Sequence, residues 1–286
     1  MRLGATRSLY MLSTAVSLSL AAFSAQANPS LPGLTNLDFV DFTGAAPKNY
    51  FTSVNPTGWT GGNGLIFINS NTPGGNATNG PNATWQAPSV ISGLDGGNYN
   101  YVQADGNPIF ESGFNYASVK GLTPGTTYTL SFYQAASQQA GFTGATTNQW
   151  IVALGAPGSS LFSATAAAPN TPNANCGTNC VYTDTDSGAS VAASALMTVP
   201  SEGLADWTFT SVDLTADATT ETLSFLAWGD NGNTTNLPPM AFLTGVNSPS
   251  GLVGAPEPAT LALFGVGLAG LGGIARRRRG KGSSSN

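Results

Sequence analysis

The sequence predicts an all-β protein, and three observations lead to this prediction. Short runs of alternating apolar and polar residues recur along the chain, with the two-residue period of half-buried strands. Clusters of Gly, Asn, Pro, Ser and Thr separate these runs, as turns do. No stretch of the central region has the 3.6-residue apolar period of an amphipathic helix. Because parallel strands need crossover connections, we expect antiparallel sheets packed as a β-sandwich.

Individual runs define about nine or ten strands. Leu34–Phe42 is predicted as the first of them. The run TTYTLSFYQAA follows a Leu-Thr-Pro-Gly stretch, in which Pro124 and Gly125 predict a type II turn. The remaining strands are expected in GLIFIN, NYNYVQADG, NQWIVALG, ASALMTV, LADWTFTSVDL, ETLSFLAWGD and PPMAFLTGV. These runs place one β-sandwich domain over residues 28–254.

Charge is scarce and unevenly distributed. Charged residues make up 8% of the 286 residues, against roughly 25% in an ordinary globular protein. All fourteen acidic residues lie between Asp38 and Glu257, where the only basic residues are Lys48 and Lys120. An acidic body repels nucleic acid and anionic lipid, so neither is an expected partner.

The amino terminus predicts a secretory signal peptide over residues 1–27. Arg2 and Arg7 form a basic start, and the apolar stretch Leu9–Phe23 follows. Ala25 and Ala27 then provide an A-x-A cleavage motif for signal peptidase. The apolar stretch is shorter than the about 20 residues of a spanning helix. We therefore expect export and cleavage after Ala27.

The carboxyl terminus predicts a single transmembrane helix over about residues 259–275. These seventeen residues carry no charge, and as a helix they extend about 25 Å. A basic tail at 276–281 follows, in which Arg276, Arg277, Arg278 and Arg279 form a stop-transfer cluster. Because basic flanks stay cytoplasmic, the body is expected outside the cytoplasm.

This carboxyl-terminal arrangement resembles the PEP-CTERM sorting signal of Gram-negative bacteria that make exopolysaccharide. Pro256, Glu257 and Pro258 precede the apolar segment and the arginine cluster, in the order that the signal requires over residues 255–286. The resemblance implies an exosortase, a membrane transpeptidase, as partner. It also implies transient anchoring in the inner membrane, followed by location at the cell surface or in the extracellular matrix. The polar extension GKGSSSN beyond the arginines departs from the pattern.

The body resembles the galactose-binding-like jelly roll of many carbohydrate-binding modules. The resemblance lies in the order of the TYTLSF run, the Trp-then-Leu-Ser-Phe hairpin and the closing FLTGV strand. It implies a sandwich that associates with carbohydrate. Thr244 stands where an Asp is common in such domains, which weakens any metal role at that position.

Catalytic chemistry is restricted because the chain has no histidine. Ser-His-Asp triads, Cys-His pairs and His-ligated metals are thereby excluded. Paired carboxylates stay open, as Asp105 with Glu111 or as Asp184 with Asp186. Asp184 and Asp186 are also the candidate ligands for calcium. No other cofactor is expected, and the protein is expected not to be an enzyme.

Cys176 and Cys180 are the only cysteines. Exported proteins encounter oxidising conditions, and two thiols alone do not complete a metal site. A disulfide closing this small loop is therefore expected.

Exposed aromatic rings are where sugar would stack. Trp59 and Trp85 lie in loop-like contexts, whereas Tyr99 and Tyr101 share one strand face; each is either a glycan contact or a core residue. Trp150, Trp207 and Trp228 lie within strand patterns and are predicted in the core. The polar run after TYTLSF provides neutral hydrogen-bonding groups, which suit either sugar hydroxyls or a polar hairpin.

Three functions therefore compete for the body. It binds exopolysaccharide or another glycan at the surface, it builds the matrix without a specific ligand, or it acts on polysaccharide with paired carboxylates. The absence of histidine and the low charge favour the first two.

Overall fold

Eleven β-strands and one short 3-10 helix, Asp95–Gly97, are formed by the residues that the computed structural model describes. These residues are 27–42, 55–61, 66–71, 77–79, 82–106, 112–158, 188–229 and 239–249. In chain order the strands are β1 (Thr60–Gly61), β2 (Ile66–Ser70), β3 (Asn100–Asp105), β4 (Ser112–Lys120), β5 (Thr127–Gln138), β6 (Thr146–Gly155), β7 (Ser190–Ala193), β8 (Met197–Val199), β9 (Leu204–Thr215), β10 (Thr220–Trp228) and β11 (Pro239–Thr244).

The strands form two sheets. One has six strands in the order β1-β4-β10-β6-β7, with β8 also pairing with β6, and the other has five in the order β2-β3-β11-β5-β9. Every strand pair within the described ranges is antiparallel. The predicted all-β antiparallel sandwich is confirmed, and its architecture is consistent with a jelly-roll-like fold.

The main core lies between the two sheets and is dominated by aromatic rings. Phe225 of β10 meets Phe132 of β5 edge-to-face at 5.4 Å between ring centroids, and Trp150 of β6 at 6.0 Å. The Trp150 indole N–H donates to the Phe242 carbonyl at 3.1 Å, which joins the two sheets. Trp150, Trp207 and Trp228 are all buried, as predicted. Alternation along each strand brings these rings to one face.

A second apolar cluster covers the outer face of the five-stranded sheet. Tyr101 of β3 and Phe242 of β11 meet at 5.5 Å between ring centroids, and Tyr101 meets Trp207 of β9 at 5.7 Å. The segment before β3 folds over these rings and buries Ile91 and Leu94 among them. This sheet therefore has apolar cover on both of its faces. Nearly all residues of β3 and β11, and those of the second half of β5, are buried.

The turn between β4 and β5 has the predicted type II geometry. The Thr126 N–H donates to the Thr123 carbonyl at 3.0 Å across the turn. Gly125 occupies its third position with φ of 79°, a value that favours glycine. Pro124 supplies the fixed φ that the second position requires.

The prediction of a strand at Leu34–Phe42 is wrong. Asn36 and Phe39 have positive φ values of 52° and 57°, which breaks the extended backbone. The Asn36 side chain stabilises the loop instead: its Oδ1 accepts from the Asp41 N–H at 2.9 Å, and its Nδ2 donates to the Asp41 and Thr57 carbonyls. The alternating apolar residues still pack inward, because Phe39 is fully buried.

Both ends of the described domain meet beside the start of β5. The Thr129 N–H donates to the Pro29 carbonyl at 2.9 Å, and the Asn247 N–H donates to the Ser131 carbonyl at 2.6 Å. The Asn247 side chain also donates to the Leu31 carbonyl at 2.5 Å. The chain therefore enters and leaves the sandwich at neighbouring positions, as is common in domains.

The predicted terminal segments fall almost entirely outside this part of the chain. Of the predicted signal peptide, only Ala27 is described, and the predicted transmembrane helix at 259–275 is not described at all. Among the ranges that are described, no helix has the length and apolar character needed to cross a bilayer.

Candidate functional site

Of the four predicted glycan contacts, Trp59 is corrected to a core residue. It is 2% exposed and lies between Phe39 and Phe225, at 5.1 and 6.2 Å between ring centroids. Its indole N–H points to the carbonyls of Thr35 and Asn36, at 3.2 Å each. Neighbouring glycines suggested an exposed loop, but Phe39 of the preceding loop and Phe225 of β10 pack against the ring.

Tyr99 and Tyr101 are also core residues, each 1% exposed. Their rings meet Trp207 edge-to-face, and their hydroxyl oxygens accept hydrogen bonds from the Ile91 and Ala77 N–H groups, both at 2.9 Å. Burial raises the pKa of Tyr99 to about 12, so its hydroxyl stays protonated. The shared strand face was predicted correctly, but the covering segment closes it to a ligand.

Trp85 is the one of the four whose ring reaches solvent, with 40% of the residue exposed. Its backbone N–H donates to the Gln138 carbonyl at 3.0 Å, and the adjacent Thr84 forms a bridge with Gln139. The segment carrying Trp85 therefore continues the pairing of β5 beyond the end of that strand. The indole N–H donates to the Phe142 carbonyl at 2.7 Å, which fixes the ring against the β5–β6 turn.

Phe142 is a surface aromatic that the sequence analysis did not single out. It is 37% exposed and lies in the β5–β6 turn, between Gly141 and Gly144, whose φ values are 95° and 100°. An aromatic residue between turn glycines is the signal that identifies it in the sequence. Among the exposed large hydrophobic residues of the described ranges, Trp85 and Phe142 are the two aromatic ones. We call the area around these two residues, which are joined by the hydrogen bond from the Trp85 indole to the Phe142 backbone carbonyl, the Trp85–Phe142 surface.

Neutral polar groups border the Trp85–Phe142 surface. The Gln139 amide donates to Asn82 Oδ1 at 3.4 Å, and the Gln86 amide donates to the Glu202 carbonyl at 3.0 Å. On the far side of the turn, the Gly144 N–H donates to Ser201 Oγ at 2.8 Å. These contacts attach the β5–β6 turn to the two segments that flank it.

The polar run that follows TYTLSF divides between surface and interior. Gln138 and Asn148 are fully buried, and Gln138 Oε1 accepts from the Glu202 N–H at 3.0 Å. Thr143 is exposed beside Phe142, and Gln139 is half-buried. Only part of the predicted hydrogen-bonding run is therefore available to a ligand.

The other predicted sites lie mainly outside the described residues. Asp105 is described and is 1% exposed, whereas its suggested partner Glu111 is not described. The part of the chain that the structure describes has no group of three or more His, Cys, Asp or Glu side chains suited to a metal ion. The predicted residues that fall outside it are Cys176, Cys180, Asp184, Asp186, Pro256, Glu257, Pro258, Arg276, Arg277, Arg278 and Arg279.

Comparison with known proteins identifies the carboxyl-terminal signal. Residues 255–279 match the PEP-CTERM protein-sorting motif, as the sequence predicted. The motif marks an exported protein that is anchored in the membrane before an exosortase processes it. No curated protein sequence matches the chain.

The solved structures with a remote likeness to this chain include one from a bacteriophage. It is the enzymatically active domain of tailspike protein 4 from bacteriophage CBA120, with 9% sequence identity and a TM-score of 0.31. The alignment covers 66% of this chain and 19% of the tailspike chain.

Proposed function

We propose that this protein is a non-catalytic, glycan-binding protein of the cell surface or extracellular matrix. The Trp85–Phe142 surface is the observation that carries the proposal. The Trp85 indole N–H donates to the Phe142 carbonyl at 2.7 Å and so holds the exposed ring in place, and little conformational entropy is lost when a sugar stacks on a ring that is already held. The neutral amides and hydroxyls around it suit sugar hydroxyls. Exopolysaccharide is the glycan we propose, because the carboxyl-terminal signal resembles that of bacteria that make it.

The position of this surface also supports the proposal. Both ends of the described domain lie beside the first residues of β5, and the Trp85–Phe142 surface lies beyond the last. From Ser131, which pairs with Asn247, seven residues lead to Gln138 at the end of β5, and they extend about 23 Å at 3.3 Å per residue. A body attached through either terminus therefore presents the aromatic pair well away from the attachment point.

A non-catalytic role agrees with the composition. The chain lacks histidine, the residue most often used for general acid–base chemistry. We propose that the surface binds polysaccharide without cleaving it.

Retardation in native gels that contain dissolved polysaccharide tests this function. The exported, processed protein should be retarded by at least one polysaccharide, and Trp85→Ala should weaken binding about 30-fold, the effect of losing a central aromatic contact of about 2 kcal/mol. Leu196→Ala is the matched control, because Leu196 is 46% exposed and lies on the segment before β8.

Two results would refute glycan binding at the Trp85–Phe142 surface. Equal retardation of the wild type and Trp85→Ala would remove the aromatic pair from the site. A dimer that Trp85→Ala dissociates, with no polysaccharide bound, would assign the surface to a second copy of this chain and favour a structural matrix role.

A further inference from the structure

We propose that the glycan bound at the Trp85–Phe142 surface is uncharged, an inference that rests on the proposed function. A polysaccharide with uronate, sulfate or phosphate groups brings a high density of negative charge, so nearby protein charges decide whether it is admitted.

The charges next to the surface are negative. Exposed Glu202 is fixed there by its backbone, because its carbonyl accepts from the Gln86 amide at 3.0 Å and its N–H donates to Gln138 Oε1 at 3.0 Å. Gln86 directly follows Trp85 in the chain. The Glu202 backbone is therefore held beside the residue that follows Trp85, and its side chain is exposed on this flank.

A second carboxylate lies along the same flank. Asp206 is exposed on β9, a few positions after Glu202. The Asp206 Oδ1 accepts from the Ser89 N–H at 2.9 Å and from the Trp207 N–H at 2.8 Å. Ser89 belongs to the same covering segment as Trp85. Both carboxylates repel an approaching polyanion at distances up to the Debye length, which is about 8 Å at physiological salt.

Positive charge lies at the other end of the sandwich. The described residues include nine acidic side chains but a single basic one, Lys120. Lys120 pairs with Thr220 at the end of β4, next to the turn that starts β5. The length of β5, about 40 Å for twelve residues, separates it from the aromatic pair. At several Debye lengths, Lys120 cannot offset the repulsion from Glu202 and Asp206.

The test compares neutral and acidic polysaccharides at low and high salt. The exported, processed protein is titrated with a β-glucan, a galactan, alginate and polygalacturonate, at about 0.02 M and about 0.5 M NaCl. We expect binding to a neutral polymer that changes less than about twofold with salt. Binding to the two acidic polymers should be at least about tenfold weaker at low salt, and it should improve as salt is added.

A charge variant isolates the cause. Glu202→Gln keeps the backbone contacts and should strengthen the binding of acidic polymers about two- to fivefold at low salt, with unchanged binding of the neutral polymer. Asp213→Asn is the matched control: Asp213 is exposed on β9, but it pairs with Thr129 near the start of β5. Asp213→Asn should leave the affinities for the acidic polymers and for the neutral polymer unchanged.

The outcomes separate this inference from the proposed function. Tighter binding of an acidic polymer that Trp85→Ala abolishes would overturn the uncharged ligand and keep the glycan site. Binding that Trp85→Ala does not affect, or no binding of any polymer, would overturn both. If Glu202→Gln and Asp213→Asn changed the affinity for acidic polymers equally, repulsion would not be local to the Trp85–Phe142 surface. That result would contradict the inference that the bound glycan is uncharged.

Discussion

Trp59 and Trp85 have similar sequence surroundings and opposite environments. Each follows a short polar stretch and lies outside the long strand runs. Trp59 is 2% exposed, whereas Trp85 is 40% exposed. Both indole N–H groups donate to backbone carbonyls, but Trp59 contacts the loop that covers it and Trp85 contacts a turn that leaves its ring open.

The difference shows that the covering element, and not the local sequence, decides the role of an aromatic ring. The Leu34–Phe42 loop closes over Trp59 because Asn36 holds its irregular backbone and Phe39 reaches into the core. Trp85 lies on the covering segment itself, so within the described residues no further layer lies over its ring.

The largest effect that sharpens this comparison is expected from Trp59→Ala. Truncating a fully packed tryptophan should lower the free energy of unfolding by about 3 to 5 kcal/mol, and Trp85→Ala should lower it by less than about 1 kcal/mol. Urea unfolding, followed by circular dichroism, measures both variants.

Sugar binding provides the control for that prediction. At a temperature where it remains folded, Trp59→Ala should bind polysaccharide as the wild type does. A loss of stability in Trp85→Ala as large as that in Trp59→Ala would show that the ring of Trp85 is a packing residue, and the contrast between the two would disappear.

Much of the fold was predictable because it depends on local chemistry. The two-residue alternation predicted β5, β6, β9 and β10, and the Pro124-Gly125 pair predicted the turn before β5. The sorting signal was also readable, since its three parts lie in order within one short segment.

The aromatic site was only partly predictable, because exposure depends on contacts between distant residues. Trp85 and Phe142 are 57 positions apart and meet through one hydrogen bond. Burial of Tyr99 and Tyr101 depends on a segment that folds back over the sheet. Alternation alone cannot say whether an outer sheet face is covered, since covered and open faces have the same period.

Glu221 and Glu202 are the same residue type in two different environments. We expect the change in stability on replacing Glu221 to be intermediate in size. Glu221 is fully buried, and its Oε1 accepts from the Asp217 and Ala218 N–H groups at 2.8 and 3.0 Å. Burial, together with the carboxyl group of Asp217, raises the pKa of Glu221 to about 7. Glu202 is exposed.

Glu221→Gln should therefore stabilise the protein on the alkaline side. The folded-state pKa lies above the ordinary glutamate value of 4.5, so the stability contributed by protonated Glu221 is complete below pH 4.5 and is lost as the pH rises to about 7. At about pH 8 the variant should exceed the wild type by about 1 to 2 kcal/mol, and this excess should shrink below pH 4.5. Urea unfolding across this pH range measures the effect, and Glu202→Gln is the control, which should change the free energy of unfolding little. A difference between Glu221→Gln and the wild type that stayed constant at every pH would contradict a raised pKa of Glu221.

The smallest expected effect comes from Trp85→Phe, which separates the ring of Trp85 from its hydrogen bond. Phenylalanine keeps an aromatic face but cannot donate to the Phe142 carbonyl, a bond of 2.7 Å in the wild type. A net hydrogen bond is worth about 1 kcal/mol, so polysaccharide binding should fall about fivefold, between the wild type and Trp85→Ala. Binding equal to the wild type would mean that the bond does not position the ring, and binding as weak as that of Trp85→Ala would mean that the ring is useless without it. An intermediate value, with an unchanged circular dichroism spectrum, would support an aromatic face whose orientation is set by the turn beneath it.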